Sequence, residues 1–250
     1  MRSGLRVLIL LFVLLLVLGL TIGERMWVRS WDHPLEVAVY PIGVDDAGRA
    51  FVDQLRGDDF RDIGSYLSDE ARARWQQSIA PPRVVLEASI DELPPAPRAG
   101  GRLAAMQFSL RLRWYAFRHT PFWGSLGRVR LFVLYHEPRD DQPLPHSLGM
   151  QKGLIGVVHV FASDEQRAQN AVVITHELLH ALGATDKYDR ATDQPLYPIG
   201  YADPYAQPPL PQEKAEIMAG RIPVSAGKAV MPDGLEQTMI GYATAAEIGW

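Results

Sequence analysis

The chain has 250 residues, 47% of them apolar and 22% charged, and it contains no cysteine. That is enough apolar chain for one ordinary core and too much for a disordered polymer. The missing cysteines exclude disulfide frameworks, Cys-ligated zinc fingers, iron–sulfur clusters and thiol nucleophiles. A net charge of −4, from 25 basic and 29 acidic residues, gives no reason to expect nucleic acid as a partner.

The apolar content is concentrated first between Arg6 and Glu24, where Val7 to Gly23 is an uncharged run of Leu, Val and Ile with Phe12 inside it. At about 1.5 Å per residue it reaches roughly 25 Å as a helix, close to the hydrocarbon thickness of a bilayer. Trp27 and Trp31 have the interfacial character to extend that span, and Arg2 and Arg6 precede it. Residues 1–30 are therefore expected to be a signal anchor. The protein would be single-pass, with residues 7–23 in the membrane, the N-terminus cytoplasmic and the rest outside. A cleaved signal would make it secreted, but Gly19-Leu20-Thr21-Ile22-Gly23-Glu24 lacks a good small-x-small site. A buried core helix is the remaining reading.

From Asp32 onward the composition is that of a folded domain, expected to span residues 31–250, with no internal repeat. Leu35 to Ile42 reads as a first strand. Asp45 and Asp46 stand where an N-cap would, before a helix over Ala47 to Arg56; a second helix carries Phe60, Ile63 and Leu67 on one face. Val84 to Ile90 reads as a strand. Met106 to Trp114 alternates apolar and polar and predicts a half-buried strand. Val129 to Tyr135 and Leu154 to Phe161 are two more, separated by a Pro-containing loop from Pro138 to Gly149. Ser163 with Gln166 three residues on has the capping-box pattern and predicts a long helix from Asp164 to about Leu182. Pro195, Pro198, Pro204, Pro208, Pro209 and Pro211 then make a long helix unfavourable and predict an irregular, substrate-facing stretch.

The long helix contains His176-Glu177-Leu178-Leu179-His180. Two histidines at i and i+4 lie one turn apart on one face, where their imidazoles can converge on a cation. A glutamate directly after the first sits close enough to a metal-bound water to take its proton. Neutral imidazoles suit zinc, and three protein ligands leave a fourth place for water. Gly183, three residues past His180, tolerates the left-handed conformation that ends a helix, so the chain can bend and return Asp186 as a third, oxygen ligand.

The string HELLHALGATD resembles the extended zinc signature of metzincin-type metallopeptidases, HExxHxxGxxH, in a variant with Asp in the third ligand place. The resemblance implies one catalytic Zn2+ held by His176, His180 and Asp186, with Glu177 as general base. It implies an α+β, zincin-like fold: a twisted mixed sheet, an active-site helix and an irregular C-terminal subdomain. It further implies a methionine turn at Glu216-Ile217-Met218-Ala219-Gly220, where Met218 is an apolar floor and not a ligand; Met231 and Met239 are rival methionines in poorer matches. Gly220 stands where some members carry a tyrosine, which makes Tyr188 the nearest auxiliary candidate. Asp189 is a substitute ligand if Asp186 faces away, and Glu213 or Glu216 would serve in a different zincin arrangement. His33, His119, His136, His146 and His159 show no ligand spacing.

The expected function is that of a membrane-anchored zinc endopeptidase acting on a peptide or protein substrate, with substrate laid along the sheet edge. The alternative is a noncatalytic, zinc-stabilised protein-binding domain on the same anchor. An intramembrane protease fails because the motif lies far from the apolar run and no second span follows.

Overall fold

Three apolar runs become neighbouring parallel strands: β1 (Glu36–Gly43), β3 (Arg128–His136) and β5 (Ile155–Phe161). In the computed structural model, residues 2–97, 100–121, 127–138, 147–150 and 154–250 are described, without the side chains of residues 2, 3, 17, 20, 21, 25 and 148–150. A fourth strand, β2 (Arg83–Leu86), pairs parallel with β1; β4 (Leu148–Met150) runs antiparallel along β5. The strand order is β2-β1-β3-β5-β4. Near-continuous apolar runs are what strands buried on both faces require.

The two faces sort by residue parity. Val37, Val39, Val129, Leu131, Val133, Val158 and Val160 pack with α2 (Asp46–Val52), α3 (Arg61–Trp75) and α5 (Arg167–Leu182). Ala38, Tyr40, Ile42, Phe132, Leu134, Ile155 and Val157 pack with Leu112, Tyr115 and Ala116 of α4 (Arg102–His119). Helices on both faces of a mainly parallel sheet make this an α/β architecture, which corrects the expected α+β class.

The largest departure from the expected elements is α4. Met106 to Trp114 is helical, not a half-buried strand. Phe108, Leu112, Tyr115 and Ala116 line the inner side of the helix, while Leu103, Met106, Leu110, Trp114 and Phe117 line its outer side. Two interleaved stripes of helical period imitate a period of two. The absence of any Val, Ile or Thr from 102 to 119 also favours helix.

Asp45 caps α2 through Gly48 N–H (2.7 Å), as expected, and Phe60, Ile63 and Leu67 are buried beneath α3. Ser163 does not cap α5. Its carbonyl accepts Gln166 N–H (3.3 Å) in a turn, and α5 begins only at Arg167, which pairs with Asp164 and, at 2.6 Å, with Asp59. Most of the Pro138 to Gly149 loop, with His146, lies outside the described residues.

After α5 the chain forms short pairs only. These are β6 (Tyr188–Asp189) with β7 (Gln194–Pro195), β8 (Ala215–Glu216) with β11 (Thr238–Met239), and β9 (Ile222–Ser225) with β10 (Lys228–Val230). A final helix, α6 (Tyr242–Ile248), closes the chain.

The N-terminal expectation is overturned. The apolar run lies within a helix, α1 (Arg2–Ser30), but among the described residues no helix is long and apolar enough to cross a membrane. The membrane-spanning helix, and the single-pass placement that rested on it, are withdrawn. The physical reason visible in the structure is that the distal end of α1 belongs to the folded unit. Val28 and Trp31 are buried, Trp31 Nε1–H donates to Ile248 O (2.9 Å), and Glu24 Oε1 accepts Gly127 N–H (3.0 Å). Trp31 is thus a core residue, and Trp27 lies against His33 with tilted rings whose centroids are 4.1 Å apart.

Candidate metal centre

The middle of α5 is locked by its buried side, where Val172, Ile174, Leu178, Leu179 and Leu182 enter the core. That fixes His176 and His180 on the side facing the C-terminal segment. The helix ends at Gly183, whose φ of 121° and bonds to Leu179 O (3.0 Å) and His180 O (3.1 Å) turn the chain out of the helical path. A side chain is strained at that φ, so the glycine is what lets the return begin.

The return is held from three sides. Thr185 N–H and Oγ1 donate to the Glu247 carboxylate, both at 2.8 Å, and Lys187 N–H donates to Met218 O (2.9 Å). The Lys187 ammonium, only 1% exposed, donates to Thr185 O (2.9 Å), Thr185 Oγ1 (2.8 Å) and Glu247 Oε2 (2.7 Å). Asp186, between these anchors, faces both histidines.

Its Oδ1 lies 2.9 Å from His180 Nε2 and 3.5 Å from His176 Nε2. Ligands on a tetrahedral ion with bonds of about 2.0–2.1 Å stand about 3.3 Å apart, and the two distances bracket that value. Although buried and close to two nitrogens, Oδ1 makes no hydrogen bond of normal geometry. An acceptor aimed at a shared point instead of at its neighbours fits a cation. Among the described residues, His176, His180 and Asp186 are the one group of three or more such side chains placed to hold an ion.

The outer contacts fit as well. His176 Nδ1 lies 2.9 Å from Ile217 O and His180 Nδ1 lies 2.8 Å from Ala184 O, so each carbonyl calls for a proton on Nδ1 and leaves Nε2 free to ligate. Asp186 Oδ2 accepts from Arg190 (2.8 Å), which leaves Oδ1 for the ion. Burial works against the Asp186 carboxylate, but His176, His180 and Arg190 outweigh it and hold its pKa well below the usual range. Burial likewise opposes a charged His176, while Asp186, Glu177 and Ile217 O carry its pKa above the ordinary value.

Glu177 is buried beside the ligands, and its charge is felt by both His176 and Tyr188. A cavity of about 310 Å³ opens against His176, walled by Val172 and Val173, by His159 and Tyr188, and by Ala219 to Arg221 with Met231. Burial, then the Asp186 carboxylate, raise the Tyr188 phenol above its ordinary pKa and keep it protonated near neutrality.

Met218 is fully buried in a tight turn in which Ala219 and Gly220 N–H both donate to Glu216 O (2.9 and 3.2 Å), with Gly220 at φ 70°. The turn meets α5 through Ile217 O. Met231 lies on the cavity wall and Met239 is buried in β11. Asp189 is not in the cluster: its Oδ1 caps Ala191 and Thr192 N–H (2.8 and 3.1 Å). Glu213 is exposed. Glu216 is buried and accepts from Ala219 N–H (3.0 Å), Gly241 N–H (3.1 Å) and Thr244 Oγ1 (2.6 Å), which pins the turn to α6.

Sequence reasoning missed Lys187, Arg190 and Glu247, none of which has diagnostic spacing, and passed over His159. His159 lines the cavity, and its Nδ1 lies 2.8 Å from His136 Nε2; burial, helped by His136, depresses its pKa to about 4. No protein-family profile matches the chain, and no curated protein matches it significantly.

Proposed function

We propose that the protein is a zinc-dependent endopeptidase of the metzincin kind, with His176, His180 and Asp186 as ligands and Glu177 as general base. The observation that carries the reading is the convergence of His176 Nε2, His180 Nε2 and Asp186 Oδ1, with both Nδ1 atoms already engaged by carbonyls. Two imidazoles and a carboxylate are a donor set suited to zinc.

When bound, the ion would supply Lewis acidity toward a substrate carbonyl and acidify a water. The chain's own part follows from its geometry. Glu177 would accept the water's proton and return it to the leaving amine. Arg190 and the Lys187 anchor would hold Asp186 in place while the charge at the centre changes. Tyr188, protonated near neutrality, would offer a hydrogen bond from the cavity wall. The sheet edge on this side is β4, and Ser147 just before it lines the cavity with His176, so a peptide laid along that edge would reach the ligands.

The test is cleavage of a peptide library by the purified chain, wild type against Glu177→Ala, with zinc content measured in both. The endopeptidase reading expects zinc in both proteins and cleavage in the wild type alone. Undiminished cleavage by Glu177→Ala contradicts the assigned base. Bound zinc without cleavage of any library member points instead to a zinc-stabilised binding domain.

A further inference from the structure

The outer side of α4 has no role in the core or in the candidate metal centre, yet among the described residues it carries more exposed large apolar side chains than any helix other than α1. Leu103, Met106, Leu110, Trp114 and Phe117 are each more than half exposed, and Trp114 and Phe117 stack on one another with centroids 5.7 Å apart. They follow the spacing i, i+3, i+7, i+11, i+14, one stripe of a helix turning about 100° per residue.

The borders of that stripe are basic. At the same turn per residue, Arg102 and Arg113 fall along one border and Arg111 and Arg118 along the other. The helix contains no Asp or Glu, in a chain whose net charge is −4. A seam between protein helices carries charges of both signs along its edges. An apolar stripe with Trp and Phe, whose charged border residues on the helix are all Arg, with Glu92 of the preceding segment paired to Arg118 (3.4 Å), matches a helix lying in a lipid headgroup layer. There the apolar side chains enter the acyl boundary and the guanidinium groups reach up to phosphates.

We propose that α4 is a docking surface for an anionic lipid layer, on which it lies flat through Leu103, Met106, Leu110, Trp114 and Phe117. The inner side of the helix remains seated on the sheet through Leu112, Tyr115 and Ala116. Because α5 occupies the opposite face of the sheet, a chain docked this way keeps His176 and His180 across the sheet from the lipid. The proposal does not rest on the peptidase reading.

The Cys-free chain permits a direct test. Leu110→Cys in the full chain, labelled with an environment-sensitive fluorophore, is mixed with phosphatidylcholine vesicles with or without phosphatidylglycerol. Asp69→Cys, exposed on α3 across the sheet, carries the same label as a control. The expected result is a blue shift at position 110 that is larger on phosphatidylglycerol vesicles and shrinks with added salt and with Arg111→Ser/Arg118→Ser. The control should stay in water. No shift at position 110, or one indifferent to lipid charge, overturns the proposal. A shift that grows with protein concentration in the absence of lipid also overturns it, in favour of pairing between two copies.

Discussion

The helices α4 and α5 lie on opposite faces of one sheet, and each shows the outside a set of side chains that its core contacts do not explain. On α5 the outward set is polar and narrow: two histidines one turn apart, completed by an aspartate that the chain returns through Gly183. On α4 it is apolar and long, running from Leu103 to Phe117 between arginines. Both inner sides are ordinary core. Burial decides where a helix sits, while the side turned away from the core holds the information about chemistry. On α5 that information is a spacing of donors; on α4 it is a surface.

The sharpest way to break this contrast is at Glu177. Loss of a positioned general base costs about 10²- to 10⁴-fold in rate, so Glu177→Gln should lower kcat/KM for a cleaved peptide by that factor with zinc content unchanged. Steady-state kinetics on a cleaved library member, with metal analysis, measure both.

A second effect, on stability, should come from Lys187. Removing one member of a buried ion pair costs about 3–5 kcal/mol, and the low end applies because the Glu247 side chain is 31% exposed. Lys187→Met should therefore lower unfolding free energy by about 3 kcal/mol in urea titrations and also weaken zinc binding, since Asp186 loses its anchor. A stability loss of that size with unaltered zinc affinity would separate the fold from the site.

The two sides of α4 give a contrast within one helix. Leu112→Ala, on the buried side, should cost about 2–5 kcal/mol. Leu110→Ala, two residues earlier and 65% exposed, should stay within about 0.5 kcal/mol. Equal losses would mean that the outer stripe is covered in the isolated chain.

A pH-dependent effect, confined to acid, concerns His159 on the cavity wall. Its folded pKa of about 4 lies below the ordinary 6.5, so the unfolded chain takes up a proton first as pH falls. Stability contributed by the neutral ring is present above pH 6.5 and is lost as pH drops from there toward 4. His159→Gln should flatten the pH dependence of unfolding across that window.

Much of the α5 side was legible in advance because its signals are local. The i, i+4 histidines, Gly183 and Asp186 lie within one short segment, and the apolar runs of β1, β3 and β5 announce strands. The α4 side was misread because its two stripes overlap into a false alternation, which only the lack of β-branched residues would have corrected. Parity shared across both faces, and with it the α/β class, becomes visible only once β1, β3 and β5 lie side by side. Lys187, Arg190 and Glu247 were invisible for a different reason. Glu247 reaches Thr185 and Lys187 from α6, far along the chain, and no sequence pattern marks such a contact. The apolar N-terminal run was legible as a helix, but not the docking of its far end through Trp31 on Ile248.

Whether His176, His180 and Asp186 hold one zinc ion is read by equilibrium zinc binding to the purified, chelator-stripped chain. The expected outcome is one zinc per chain in the wild type, near-complete loss in His180→Ala, and weakened binding in Asp186→Ala. A folded wild-type chain that takes up no zinc, or a His180→Ala chain that binds as tightly as the wild type, would contradict it.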